Sequence, residues 1–257
     1  MRQIIILLYR IKLLKRLIPS ILKLFIKIKR NYKTVIVHKN FQLNLNLKNP
    51  IDREIYLKDK YETEQIYYLE RLIIKDNLNI FIDIGSHMGF YSMNLQSKVN
   101  EVYSFEPIKE NYDQLKDNIY LNNFKKIKAF NVALSNMKDE AEMWVPDINK
   151  TGGYSVYDKN DEELKRYNMK SISRRSILKE IGDEILKFEN KNIVIKIDVE
   201  RHEKKVLEGI VKLINSNKVL IQIEIFEKRK ADIFSFLIKN NFKNIHNIQK
   251  DYFFKNY

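Results

Sequence analysis

The chain has 257 residues, 44% of them hydrophobic, with 47 Lys and Arg against 33 Asp and Glu, a formal net charge of +14 and no Cys. That length and apolar content allow a full buried core in one large domain or two small ones, and the lack of Cys excludes a disulfide framework, a thiolate zinc site and a cysteine nucleophile. The charge is uneven: residues 1–51 hold 12 Lys and Arg and no Asp or Glu, so +12 belongs to the first fifth of the chain and +2 to the rest.

In chain order, residues 3–17 and 20–31 come first. Broken near Pro19, they alternate Ile and Leu with Lys12, Lys15, Arg16, Lys23, Lys27 and Arg30 at three- and four-residue steps, the pattern of a basic amphipathic helical arm. Such an arm can lie at an anionic membrane surface, each nearby cation contributing about 1 kcal/mol, or it can pack its apolar face on the domain. Both destinations stay open, because pattern does not name the partner of an apolar stripe. Charges interrupt every apolar run before the ~20 residues a bilayer needs. The apolar run at 4–8 is short and no small-residue cleavage site follows it, which argues against a cleaved signal.

Residues 34–38 and 41–45 alternate across Lys39-Asn40 and predict a β-hairpin ahead of the core. The division expected is an arm with hairpin at 1–51 and a second unit at 52–257. In the latter, helical spacing at 62–74 leads into a strand at 79–83, a helix from Gly89, a strand at 101–106, a helix near 109–120 and a strand at 127–132. Residues 138–172 are less regular, with Thr151-Gly152-Gly153 as the strongest loop signal, and suggest an insertion shaping an acceptor site. A strand at 193–198, a helix at 203–215, a strand at 218–225, a helix at 231–239 and a closing hairpin of 242–247 with 251–255 complete the order. This alternation predicts an α/β fold with a mostly parallel twisted sheet covered by helices on both faces.

The run Ile80-Phe81-Ile82-Asp83-Ile84 opens directly into Gly85-Ser86-His87-Met88-Gly89, which is how a buried parallel strand reads where its carboxyl end approaches a ligand. A side chain at either Gly would block that approach. Glu106, in Ser104-Phe105-Glu106-Pro107, ends the next strand 21 positions after Gly85, where a carboxylate can accept hydrogen bonds from both hydroxyls of an adenosine ribose. The spacing is G-x-x-x-G rather than the G-x-G-x-x-G of a dinucleotide site, and no Walker-type G-K-S/T occurs, so a phosphate cradle is poorly supported. A cofactor without phosphates fits better. S-adenosylmethionine has the ribose and adenine but ends in an amino acid and a sulfonium, so Asp83 and the turn amides could serve its ammonium and carboxylate, while His87 shapes the turn.

Further along lie Ile195-Lys196-Ile197-Asp198-Val199-Glu200, His202-Glu203 and Val206-Leu207-Glu208-Gly209. Together with DIGSHMG at 83–89, FEP at 105–107 and NVAL at 131–134, these motifs follow one another over residues 60–225 as in the FkbM-type S-adenosylmethionine-dependent methyltransferases, which the chain resembles. The resemblance implies a Rossmann-like class I methyltransferase fold. It implies S-adenosylmethionine as cofactor, held by Asp83, Gly85, Ser86, His87, Gly89, Glu106, Ala133 and Asp198. It also implies O-methylation, often of sugars in surface glycans or of secondary-metabolite hydroxyls. Two departures stand out. The family commonly has Asn where this chain has His87, which bears on the methionine end of the cofactor, and Gly where it has Arg201, which puts a long cation beside the reaction centre.

Methyl transfer from a sulfonium is an in-line displacement, so the protein mainly aligns acceptor oxygen, methyl carbon and sulfur in a closed site. An alcohol must also lose its proton. Asp198, Glu200, His202 and Glu224, near the carboxyl ends of their strands, are the candidate catalytic residues. His202 is the first choice for base because an unperturbed imidazole titrates near working pH. Each has a structural alternative. Asp198 and Glu200 can cap the next helix or pair with Lys196 or Arg201, His202 can be a first-turn helix residue, and Glu203 a helix-dipole carboxylate. Asp198, Glu200 and Glu224 could instead hold a divalent cation, but no further clear ligand accompanies them, and no metal is expected.

An N/D-P-P-Y/F clamp for a flipped base is missing after the fourth core strand, which reads Asp198-Val199-Glu200. Nucleic acid thereby loses support as substrate, although the basic arm could bind phosphates nonspecifically. Acidic residues at the site suit a neutral hydroxyl better than a polyanion. The expected partners are a small-molecule or glycan hydroxyl acceptor and, through residues 1–31, an anionic membrane; the expected place is the cytoplasm, peripheral at the inner membrane face. Two rivals remain: a nicotinamide-dependent oxidoreductase using Glu106 on a ribose, and a non-catalytic membrane or nucleic-acid binding protein built on the basic arm.

Overall fold

A computed structural model describes residues 2–12, 14–29, 32–145 and 173–257. A seven-stranded sheet forms its centre. Five strands run parallel: β3 (Ile80–Ile84), β4 (Glu101–Phe105), β5 (Ile127–Phe130), β9 (Asn192–Ile197) and β10 (Lys218–Glu224). The hairpin of β11 (Lys243–Ile248) and β12 (Asp251–Lys255) closes the sheet, β12 pairing antiparallel with β10. The spatial order β11-β12-β10-β9-β3-β4-β5 reverses beside β3, so the crevice for a ligand lies where the chain leaves β3 and β9.

The central strands are buried on both faces, as parallel sheets require. Alternate residues go to opposite sides. Ile80, Ile82, Ile84, Ile193, Ile195, Ile197, Val219, Ile221 and Ile223 enter one apolar cluster, and Phe81, Val194 and Leu220 enter the other. Fully burying one such side chain contributes about 1.5–3 kcal/mol, so a period-2 alternation of large apolar side chains between the two faces locks the register.

The cluster containing Phe81, Val194 and Leu220 is roofed by a hairpin, β1 (Lys33–His38) with β2 (Phe41–Asn46), which contributes Ile36, Phe41, Leu43 and Leu45. Helix α3 (Pro50–Lys58) and helix α4 (Thr63–Lys75) follow; α4 adds Ile66, Leu69, Leu72 and Ile73 to the same cluster. Helices α5 (Phe90–Leu95) and α6 (Lys109–Leu121) connect β3 to β4 and β4 to β5. On the other face lie α7 (Gly182–Ile185), α8 (Glu203–Gly209), α9 (Val211–Asn215) and α10 (Lys230–Lys239). The helix expected at 203–215 is therefore two helices, divided at Ile210.

Two other expectations change. The strand expected at 127–132 stops at Phe130, because Asn131 turns its side chain back to donate to the carbonyls of Glu106 and Pro107. The chain then enters a second sheet, in which β6 (Ala133–Ser135) and β7 (Asp139–Val145) flank β8 (Ser173–Ile181). Part of the expected irregular insertion is thus a regular strand, and Thr151-Gly152-Gly153 lies outside the described residues.

The arm forms helices α1 (Arg2–Tyr9) and α2 (Leu14–Lys29). The break falls at residues 10–12 rather than at Pro19, where the amides of Arg10 and Ile11 close tight turns on the carbonyls of Leu7 and Leu8. Pro19 lies within α2, whose other backbone bonds carry the helix past the one that proline lacks. Helix α1 is seated on α3 through Arg2, which donates to the carbonyls of Ile55 (3.2 Å) and Tyr56 (3.0 Å) and to Asp59 (2.7 Å). Ile6 is buried, whereas Ile4, Leu7, Leu8, Ile11, Leu17 and Leu24 are exposed. Among the described residues no helix is long and apolar enough to cross a membrane.

Candidate active site

The turn after β3 is built by two glycines that no other residue could replace. Gly85 has φ +83°, and a Cβ there would stand 1.8 Å from the Asp198 carbonyl oxygen at the end of β9. Gly89 has φ +87°, and its Cβ would meet Leu115 of α6 at 2.4 Å. Both demands, a left-handed backbone and close approach, are ones only Gly meets cheaply. The amides of Gly85 and Ser86 donate to the Phe105 carbonyl at 2.9 and 3.0 Å, tying the turn to the end of β4.

Glu106 leaves β4 at this junction and is buried. Its Oε2 accepts the His87 amide at 2.9 Å and its Oε1 the Ile108 amide at 2.8 Å. Burial pushes its carboxyl up to about 7 against the opposing pull of these amides. A carboxylate has about four acceptor positions, so capacity remains toward the cavity that Glu106 lines together with Phe105, Pro107, Ile108, Val132 and Met143. One wall is therefore apolar, with a buried carboxylate beside it.

From there the cavity runs to a group of acids: Glu62, Asp198, Glu200, Glu224 and Asp251. Asp198 pairs with Lys196 at 2.9 Å. Burial opposes the Lys196 charge, but Asp198, Asp83 and Glu62 outweigh it and hold its pKa above the ordinary lysine value. Glu224 of β10 stands directly opposite Asp251 of β12 in the sheet register. Burial first, then neighbouring negative charge, raises Glu224 to about 8 and Glu200 to about 7, while burial raises Asp251 against the opposing Gln222 hydrogen bond and Lys196 charge. Beneath them, Tyr91 donates to Glu62 at 2.7 Å, and Gln222 donates to Tyr91 at 3.1 Å and to Asp251 at 2.9 Å, fixing the floor. Among the described residues, no Lys or Arg lines the cavity, and no group of three or more His, Cys, Asp or Glu is placed to hold a metal ion.

Of the sequence-predicted residues, the cavity gathers Gly85, His87, Glu106, Ala133, Asp198, Glu200, His202 and Glu224. Asp83, Ser86 and Gly89 are not among the residues lining it. Asp83 is fully buried and accepts from Ser92 at 2.6 Å, so it braces the turn from behind. Its Oδ1 and the Ser86 hydroxyl are buried without a partner among the described residues. His202 is buried and lies 3.0 Å from the Ser135 hydroxyl. Burial, then Lys179, Lys205 and Arg229, lowers its pKa to about 4, so the near-neutral titration that made it first choice for base is lost. The sequence reading missed Ile51, Tyr61, Glu62, Asn111, Met143 and Asp251. Only Asp251 carried a signal, since a closing hairpin beside the 218–225 strand brings its first residue next to Glu224; the others reach the cavity through pairings that no local pattern encodes.

A switch-point cavity with a Gly turn, a buried carboxylate and an apolar wall fits a Rossmann-like class I methyltransferase domain whose cofactor is S-adenosylmethionine. The methyltransferase FkbM domain family matches residues 83–254, and the chain belongs to that family. Among solved structures, it is similar to methyltransferase FkbM from Methylobacillus flagellatus KT, at 15% identity and TM-score 0.47 over 79% of this chain and 52% of that one. The chain thus spans about half the length of that protein. It is also similar to M. jannaschii TYW2 in complex with AdoMet (13% identity, TM-score 0.43, 88% and 84% covered) and to an rRNA methylase from Streptococcus thermophilus (9% identity, TM-score 0.41, 76% and 94% covered). No curated protein sequence matches it.

The residues present suit the cofactor. Glu106, each of whose oxygens takes one backbone amide, keeps acceptor capacity on the cavity it lines, and Ser86 in the adjoining turn has a buried hydroxyl without a partner among the described residues.

Proposed function

We propose that the protein methylates a hydroxyl group, that of a sugar in a surface glycan or its precursor. The observation that carries this reading is the continuity of the Glu106 end with five cavity carboxylates, among described lining residues that include no Lys or Arg. Carboxylates accept hydrogen bonds, and a polyol presents hydroxyl donors in several directions. A polyanion would be repelled, so the acid-rich end disfavours RNA.

Bound S-adenosylmethionine supplies an electrophilic methyl group. Glu106 accepts from the ribose hydroxyls, the Phe105–Ile108 wall holds the base, and Gly85 lets the Asp198 backbone close against the turn. Glu200, rather than His202, serves as general base: a group titrating at about 7 accepts a proton effectively at neutral pH, and it lies in the cavity. Glu224 and Asp251 orient the acceptor, and Asp198 is paired to Lys196 beside them.

The arm gives the enzyme a place to work. Its exposed Ile4, Leu7, Leu8 and Ile11 with exposed Arg10, Lys12 and Lys15 form an apolar surface edged by cations, suited to the anionic inner face of a membrane where lipid-linked glycan precursors lie. The test is calorimetric titration of S-adenosylmethionine and S-adenosylhomocysteine into the protein and into Glu106→Ala, followed by flotation with anionic and neutral vesicles. Binding lost in the variant supports the cofactor site; no binding by the folded wild type sinks it. Equal flotation with both vesicle types would overturn the membrane assignment.

A further inference from the structure

Asn49 ends the hairpin segment upstream of the family-matched residues 83–254 and is buried. Its Oδ1 accepts the Ile51 amide at 2.9 Å, capping α3 with extended backbone (φ −74°, ψ 132°). The cap fixes which way the carboxamide faces, so Nδ2 is the atom 2.9 Å from Nε2 of His87. Nδ2 can only donate. The His87 nitrogen that receives it therefore carries no proton, and the imidazole proton sits on Nδ1.

We infer that Asn49 is a positioning residue of the cofactor site, holding the cavity-lining His87 ring as the neutral Nδ1–H tautomer. The inference rests on the reading of this turn as the S-adenosylmethionine site. His87 needs such a hold, since it is a non-glycine residue with φ +50°, and its own amide is the donor that keeps Glu106 in place. Ring and amide together link α3, the turn and the ribose carboxylate through one residue. The link is stiff, because Asp52 in the first turn of α3 is fully buried and accepts from the Asn46 amide at 2.6 Å and from Gln114 of α6 at 2.7 Å. A neutral ring also suits a cofactor with a cationic sulfonium, which an imidazolium in the same cavity would repel. Burial keeps the ring neutral with a pKa of about 4, with Asp198 pulling upward and Lys196 downward.

The experiment uses the full chain labelled with ¹⁵N, reading the imidazole nitrogens by long-range ¹H–¹⁵N correlation and assigning His87 among the four histidines with His87→Gln. The wild type is expected to show Nδ1–H at position 87 from pH 5.5 to 8. Asn49→Asp keeps the cap but presents an acceptor to Nε2, so His87 should move its proton to Nε2 or become doubly protonated. S-adenosylmethionine should then bind about tenfold more weakly at pH 7, with a melting temperature near that of the wild type. An Nε2–H or charged ring in the wild type overturns the inference, and so does an Asn49→Asp protein with wild-type tautomer or affinity. A wild type with the expected tautomer but no cofactor binding would end the cofactor reading and the positioning role, leaving the tautomer assignment as a separate result.

Discussion

Glu106 and Glu200 are the same residue type at two ends of one cavity, both brought to about 7 by burial, yet their surroundings differ. Glu106 is met by donors: two backbone amides and the Asn111 carboxamide. Glu200 is met by acids, Asp198 and Glu203, which add to the burial effect. The Glu106 end is thus completed by the protein's own hydrogen bonds, while the Glu200 end holds neighbouring carboxylates. Equal pKa values can therefore arise in opposite surroundings, and the roles proposed above, hydrogen-bond acceptor for Glu106 and general base for Glu200, rest on that difference.

The harshest way to break that contrast is Gly85→Ala, which drives a Cβ into the Asp198 carbonyl and so strikes both ends at once. A loss of at least about 3 kcal/mol in unfolding free energy is expected in denaturant melts. Glu200→Gln should separate the ends: methyl transfer to the hydroxyl acceptor falls about 10²–10³-fold, with S-adenosylhomocysteine affinity unchanged. His202→Gln should cost far less turnover; equal losses in the two variants would return the base to His202.

The pH dependence of stability sharpens the contrast further. Asp52, Glu106 and Glu200, each near 7 when folded, retain protons that the unfolded chain has released, so their contribution is present at low pH and is lost as pH rises through about 7. His87 and His202, lowered to about 4, act oppositely, but only below their unfolded value near 6.5. Above that point the carboxylates act alone. Melts between pH 6.5 and 8 should show stability declining by about 1–2 kcal/mol, and adding an acceptor polyol should move Glu200 more than Glu106. The smallest effect is expected at Arg201, whose φ of +80° is a glycine conformation. Arg201→Gly should change stability by no more than about 1 kcal/mol while leaving turnover within a few-fold.

Much of the Glu106 end of the cavity was legible in the sequence because its signals are local: an apolar strand, two glycines, and a glutamate one βα step later. The order of the parallel strands and the closing hairpin followed from the same periodicity. The acid-lined end was legible only in part. Asp198, Glu200 and Glu224 sit at strand ends and could be read, whereas Glu62 and Tyr61 precede α4 and arrive by tertiary packing. The choice of His202 as base relied on an ordinary imidazole pKa that burial among Lys179, Lys205 and Arg229 removes. The positive φ of Arg201 gives a physical reason for the Gly common at that position in the family, which sequence comparison alone left as a departure.

Helix α3 is only nine residues long, and both of its ends are held from outside. Arg2 of the arm takes the carbonyls of its last turn, and Asn49 joins its first turn to His87. A helix this short would ordinarily fray from its ends within each opening event. Here fraying at one end must release the arm, and fraying at the other must release the turn. The amides of α3 should therefore exchange with solvent as a single cooperative unit, making them a native reporter of whether arm and cavity are seated at the same time.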